Sequence, residues 1–379
     1  MPKRNQRPLL IVKGFMYLAQ AMVGIFLPFF IMDSLGLEPW GVILWGACCM
    51  GIMGLLVYPF NRFCVNRWSL LGTVRFGLLF NALFLWTITQ HFSPGTMLGL
   101  VTGSFILHII LFWPSFNALM AHSTRDGGKG NFAGNAQVMV VVSNLMAPII
   151  TGFLFEAGLQ SYSLYAAFLM ILGAIWGTFS LTDPGYRVQP FKSHIWNTFT
   201  ETFLGKRWGG FICDAVQTAT MWIGWGLYFQ FAVGSYAIMG TITSVGAILE
   251  VISNKVWGKK TDKNLHKALQ KGMWARFVDL SWRVIYVFYN PLWLVISINL
   301  AGNVLGPLFQ VPFMARLFEI AEANQKDVLT FYLARELHLG LVRGLWLLLM
   351  ALVVYLFGPM AIGFVLVLAG LSSFWVYRF

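Results

Sequence analysis

The stretch GKKTDKNLHKALQKG, Gly258 to Gly272, is a short island of charge between two apolar runs. Lys259, Lys260, Lys263, Lys267 and Lys271 surround a single carboxylate, Asp262. Outside the island the chain is membrane-grade: 58% of its 379 residues are hydrophobic and only 11% are charged. A soluble globular chain is about a quarter charged, so this one cannot cover a water-facing surface of its size. Its apolar runs are near 20 residues long, which as helix crosses roughly 30 Å of hydrocarbon. In lipid the backbone must satisfy its own hydrogen bonds, leaving helices or closed barrels. The runs are continuous rather than alternating, so an all-α integral membrane protein is expected.

Twelve spans are predicted, near 8–32, 39–60, 69–90, 97–121, 133–157, 161–182, 209–232, 235–256, 272–289, 291–318, 333–356 and 358–377. The long connection between the sixth and seventh marks a boundary. It divides an N-terminal six-helix half (1–183) and a linker (184–208) from a C-terminal six-helix half (209–379). Loops alternate in charge. Even-numbered loops and both tails hold Arg62 and Arg67, Arg125 and Lys129, the linker cations, the island and Lys326, whereas odd loops carry Asp33, Glu38 and Glu156. Cationic loops stay on the cytoplasmic side, which places both termini inside a cytoplasmic (inner or plasma) membrane and requires an even number of spans.

The same rule accounts for the net charge of +12, so no nucleic-acid partner is expected. Cys48, Cys49, Cys64 and Cys213 lack metal-ligand spacing, and neither metal nor cofactor is expected. The basic N-terminus precedes an apolar run too long for a signal core and without a small-residue cleavage site. No polar segment is long enough to fold alone. There is no G-x-x-x-x-G-K-[ST], H-E-x-x-H or G-x-S-x-G, so no enzyme is expected.

A weak repeat links the halves. NRFCVNRW follows the second span, with Asn61, Arg62 and Arg67, and the island follows the eighth, with Gly258, Asp262 and Lys263. This resembles the major facilitator superfamily of secondary transporters, whose loops after helices 2 and 8 carry G-x-x-x-D-[RK]-x-x-[GR]-[RK]. The second copy fits at Gly258, Asp262 and Lys263; the first departs, with Val57 for Gly and Asn61 for Asp. In that family the loop is a cytoplasmic latch, so Asp262 is expected to hold its stronger side. The fifth span, GNAQVMVVVSNLMAPIITG, places small residues at Gly134, Ser143, Ala147, Thr151 and Gly152, with Pro148 beside Ala147. It is similar to the family's helix-5 motif G-x8-G-x3-G-P-x2-G-G, associated with exporters that exchange substrate for protons, and leans the reading toward efflux. The resemblance implies a monomer that moves a small molecule, with protons, by rocking its halves about a midplane site.

Ionisable groups inside spans are costly and are functional candidates. Lys13 and Glu250 lie near the cytoplasmic face and can snorkel. Asp279 and Arg283, four apart, are expected to form a structural ion pair. Asp214 and His108 are candidate proton carriers. Arg343 near mid-depth needs an anion, either Asp214 or a substrate. The resemblance puts helices 1, 4, 7 and 10 around the cavity and adds Gln20, Asn117, Gln217, Gln230, Asn299, Asn303 and Gln310. A lipid flippase on the same scaffold and a non-transporting scaffold or sensor are the alternatives.

Overall fold

The computed structural model describes residues 2–123, 129–185, 208–323 and 328–378, and every element among them is helical. The helices are α1 (Pro2–Val23), α2 (Leu27–Leu35), α3 (Pro39–Ile88), α4 (Pro94–Ser123), α5 (Lys129–Glu156) and α6 (Gln160–Thr178). They continue as α7 (Trp208–Ala219), α8 (Trp225–Val233), α9 (Tyr236–Lys263), α10 (Leu265–Ser281), α11 (Leu292–Ala323), α12 (Val328–Phe357) and α13 (Ile362–Leu371). Among the described residues, nine helices are long and apolar enough to cross a membrane. The chain is a multi-pass membrane protein.

Helix α3 has 50 residues, roughly 75 Å of rise, more than twice the hydrocarbon thickness. It is two rods joined at Ser69, where φ 71 and ψ 170 leave the helical region. The second rod is capped from outside: the Leu71 N–H donates to Asp183 Oδ2 at 2.9 Å, a carboxylate on a helix N-terminus. The turn therefore lies at Ser69, and Asn61 to Trp68, expected as loop, is helix. The island behaves alike. Helix α9 runs through Gly258 to Lys263, only Asn264 is extended, and its Oδ1 accepts from the Lys267 N–H at 2.9 Å to start α10. Lysine and arginine are good helix formers, so cationic interfacial segments extend the spans rather than ending them.

Helix α3 packs on α4 and α12, α5 packs on α9, and α1 packs on α5 and α6. Two of these contacts are backbone to backbone. A Cβ on Gly340 would lie 2.6 Å from the Gly54 Cα, and one on Gly344 would lie 3.0 Å from the Gly51 N. A Cβ on Gly240 would run into the Pro148 carbonyl, and one on Gly152 would lie 2.5 Å from the Tyr236 O. Small residues permit such approach where no hydrophobic force drives helices together. Glu156, ending α5, caps α9 by accepting from the Tyr236 N–H at 3.0 Å and the Ala237 N–H at 3.3 Å. Phe26, Phe29, Phe30, Phe155 and Tyr236 cluster beside it, with centroids 4.7–6.4 Å apart. At the end marked by Glu156, the N- and C-terminal parts of the chain are thus closed on each other.

Candidate functional site

Helix α7 buries Cys213, Ala215, Val216, Gln217 and Ala219, yet leaves Thr218 exposed and Asp214 half-buried, and Trp222, in the turn Thr220–Gly224 that follows it, is half-buried too. Positions 214, 218 and 222 recur every fourth residue and form one stripe. A carboxylate facing lipid is too costly, and Asp214 is turned to partners within the bundle. Asp214 Oδ1 accepts from the Thr218 hydroxyl at 3.2 Å, and Oδ2 accepts from Arg335 Nη2 at 2.8 Å. Arg335 Nη1 donates in turn to Glu336 Oε1 at 2.9 Å, and Glu336 Oε2 lies 3.8 Å from Arg343 Nη1. Two carboxylates and two guanidiniums balance inside the bundle, with side chains only 7–17% exposed. The Nε groups of Arg335 and Arg343 are buried without a hydrogen-bond partner.

Asp214 thus pairs with Arg335, and Arg343 stands next to Glu336. The sequence points to Asp214 as the protein partner of Arg343 and singles out neither Arg335 nor Glu336. Both lie close to the predicted start of their span and read as end-of-helix charges, but α12 begins at Val328 and sets them two turns in. The available signal was the seven-residue spacing of Glu336 and Arg343, which puts them on one face. Above the charges the wall is aromatic. Trp346 Nε1 donates to the Thr220 hydroxyl at 2.8 Å. Trp222 stacks on Phe105 of α4 at 5.4 Å and meets Trp45 of α3 at 6.5 Å. Opposite, α1 leaves Lys13, Tyr17 and Gln20 half-buried on one face, and Tyr17 meets Trp113 of α4 edge-on, one turn from half-buried Asn117.

A second cluster lies on α10. Asp279 Oδ1 takes Arg283 Nη2 at 2.7 Å, and Oδ2 takes Arg276 Nη1 at 2.7 Å. Arg276 Nε donates to Gln217 Oε1 at 2.9 Å, and Gln217 Nε2 donates to the Ser373 hydroxyl at 2.8 Å. Gln217, selected as a cavity residue, is therefore tied between α7, α10 and the chain's last turns. Arg276 was not selected.

The remaining candidates disperse. His108 Nδ1 faces the Gly77 carbonyl at 2.9 Å and its ring stacks on Phe112, so it is buried between α4 and the second rod of α3. Asn303 Nδ2 donates to the Asn299 carbonyl at 2.9 Å and lies against Gly246 of α9. Asn299 is buried and Gln310 is exposed. Asn61 is fully buried, donating to the Ile110 carbonyl at 2.8 Å and to the Ser115 hydroxyl at 2.9 Å. Pro114 has no N–H to offer Ile110, and the Asn61 amide fills that place. Arg62 is half-buried; Arg67, Asp262 and Lys263 are exposed, and no described residue pairs with Asp262. In α5, Ser143 bonds back to the Met139 carbonyl at 2.8 Å, and Ala147, Pro148 and Gly152 are buried. The surroundings of Gly134 lie outside the described residues, as do Arg125, Lys326 and most of the linker. No His, Cys, Asp and Glu group among the described residues could hold a metal.

No family model matches the chain, and no curated protein does. Solved structures match over nearly its whole length. A variant of the nucleoside transporter NupG covers 98% of both chains at 13% identity, with a TM-score of 0.71. A POT family transporter in complex with a thioalcohol-conjugated peptide covers 99% of this chain and 97% of its own at 10% identity, with a TM-score of 0.72. Another POT family structure, holding 5-aminolevulinic acid, covers 98% and 95% at 10% identity, with a TM-score of 0.71. The fold is that of these multi-pass transporters.

Proposed function

We propose that the chain is a secondary transporter of major facilitator type, carrying a small molecule by alternating access and coupled to protons through Asp214. The observation that carries this reading is the charge-balanced quartet Asp214–Arg335–Glu336–Arg343, opening onto an exposed stripe of α7. Charges within membrane spans are expensive and are candidates for function. The partly exposed stripe favours transport over a sealed scaffold. Twelve crossings follow if α3 counts twice at Ser69, and α7–α8 and α10 to Phe288 each count once beside the other apolar helices. The two six-helix halves, 1–183 and 209–379, would then meet through α3–α12 and α5–α9. With both termini cytoplasmic, the closed Glu156 end faces outward and the Asp214 stripe opens inward. The small-residue face of α5 supports a lean toward export.

The test is a stabilisation screen with nucleosides and short peptides, the ligand types named for the structural neighbours, followed by transport of any binder in proteoliposomes. A ligand raises apparent stability by mass action. A pH gradient should drive uptake or efflux, and D214N should abolish that dependence. A D214N protein with unchanged rate and pH profile would sink the proton-coupling proposal.

A further inference from the structure

We infer that the quartet is a binding site for the anionic group of a small organic acid, received by Arg343 and accompanied by a proton on Glu336. This rests on the transporter reading and adds the substrate class and a second coupling residue.

The argument starts from bond quality. The three ionic contacts to Asp214 and Glu336 are unequal: Arg335 holds both carboxylates at 2.8 and 2.9 Å, whereas Arg343 stands 3.8 Å from Glu336, beyond hydrogen-bond length. The Arg343 Nε is buried and unpartnered. A guanidinium has five N–H donors in a planar fork suited to a carboxylate or phosphate. Such donors are expensive to leave unmade. Arg335 also leaves its Nε unpartnered among the described residues but engages both Nη groups, so Arg343 is the member of the quartet with the most donors to spare.

Charge then sets the stoichiometry. The four side chains sum to zero, so an added monoanion would leave one buried negative charge. The groups interacting with Glu336 are Arg335, Arg343 and Tyr332 on α12; His338 of the same helix interacts instead with Asp214 of α7, and α3 presents the backbone of Gly51 and Gly54 to α12. Glu336 has the weakest ionic contact. When an anion takes Arg343 from it, the Glu336 carboxylate gains one proton from solvent to become the acid, and neutrality is kept. The body of the ligand would meet Trp346, one turn from Arg343, and half-buried Trp222. That wall suits an apolar or aromatic acid.

The test compares three solutes of nearly one shape on the purified full chain: benzoate, benzamide and benzylamine. Binding is read by tryptophan fluorescence and thermal stabilisation, and proton uptake by a pH indicator in weak buffer. Benzoate should bind with about one proton taken up per ligand, more tightly as pH falls, by linkage. R343K keeps the charge but loses the fork, and should weaken benzoate by about tenfold or more. E336Q, an isosteric change, should bind benzoate without proton uptake. Equal binding of benzamide or benzylamine, no binding of benzoate, or undiminished uptake in E336Q overturns the inference. The two readings fail separately. Benzamide or benzylamine crossing proteoliposomes independently of Arg343 refutes the anion site and leaves a transporter. Benzoate bound through Arg343 with proton uptake but never translocated keeps the site and refutes transport.

Discussion

Two ion clusters occupy the C-terminal part of the chain, and they are built in opposite ways. Around Asp279, one carboxylate that is 1% exposed holds two guanidiniums, both at 2.7 Å. Arg283 also lies 4.0 Å over the Trp225 ring, and a Cβ on Gly302 of α11 would strike the pair, so there is no spare room. Around Asp214, charges balance, side chains are 7–17% exposed against 1–7% around Asp279, and one contact is 3.8 Å long. The sealed cluster cannot lose its one carboxylate without stranding two guanidiniums. The loose one holds one contact beyond hydrogen-bond length and lies beside exposed Thr218. Burial is common to both clusters; charge balance and a loose contact are what set the Asp214 cluster apart.

The largest effect should come from breaking the sealed cluster. D279N leaves Arg276 and Arg283 without their counter-charge in a closed interior, which costs about 3–5 kcal/mol. Denaturation in detergent should show a large loss of stability. Replacing Asp279 and Arg283 together by leucine should lose less than D279N, because one stranded charge is removed with its partner. A D279N protein as stable as the parent would erase the distinction between the clusters.

Asn61 belongs with the sealed sites although the repeat suggested a loop. N61D restores the carboxylate expected of a first-half latch but removes the donors now given to Ile110 and Ser115. A carboxylate would face a carbonyl it cannot bond, at a cost of about 1–3 kcal/mol. The same denaturation measurement checks it, and a stabilised N61D would favour the latch account.

D214N should be milder for stability and severe for activity. Its amide oxygen still accepts from Arg335, so roughly 1–2 kcal/mol is lost. Proton-driven transport, measured against pH in proteoliposomes, should vanish. If stability falls as far as in D279N, the Asp214 cluster is structural too.

The fold was largely legible because membrane crossing is written in apolar run length and in the alternation of cationic loops. Asp279 and Arg283 were legible because helical spacing of four places them on one face. What was hidden depended on contacts across helices. Nothing local to Asp214 points to Arg335, 121 positions later. Gln217 reads as a cavity residue until Arg276 is seen against it, and His108 reads as a proton carrier until the Gly77 carbonyl is placed. Helices also run past the ends that charge implies, because lysine and arginine extend them. That is why Arg335 and Glu336 read as charges at the membrane edge and Asn61 as loop.

The smallest effect is expected at Asp262, where the sequence alone suggested a large one. The carboxylate is exposed on the last turn of α9, no described residue pairs with it, and α10 is capped by Asn264 instead. Negative charge at a helix C-terminus is unfavourable to the dipole, so losing it removes a mild penalty rather than a support. Five nearby lysines offset that repulsion only through solvent, where screening leaves little. D262N should therefore change stability by no more than about 0.5 kcal/mol. In the conformation described here, closed at the Glu156 end, Asp262 has no contact to release. A latch would engage it only when the opposite end closes, so the discriminating measurement is the rate of interconversion between the two states. Unchanged stability with faster opening of the island end would assign Asp262 to the other conformation; unchanged stability and unchanged rates would leave it a solvated charge.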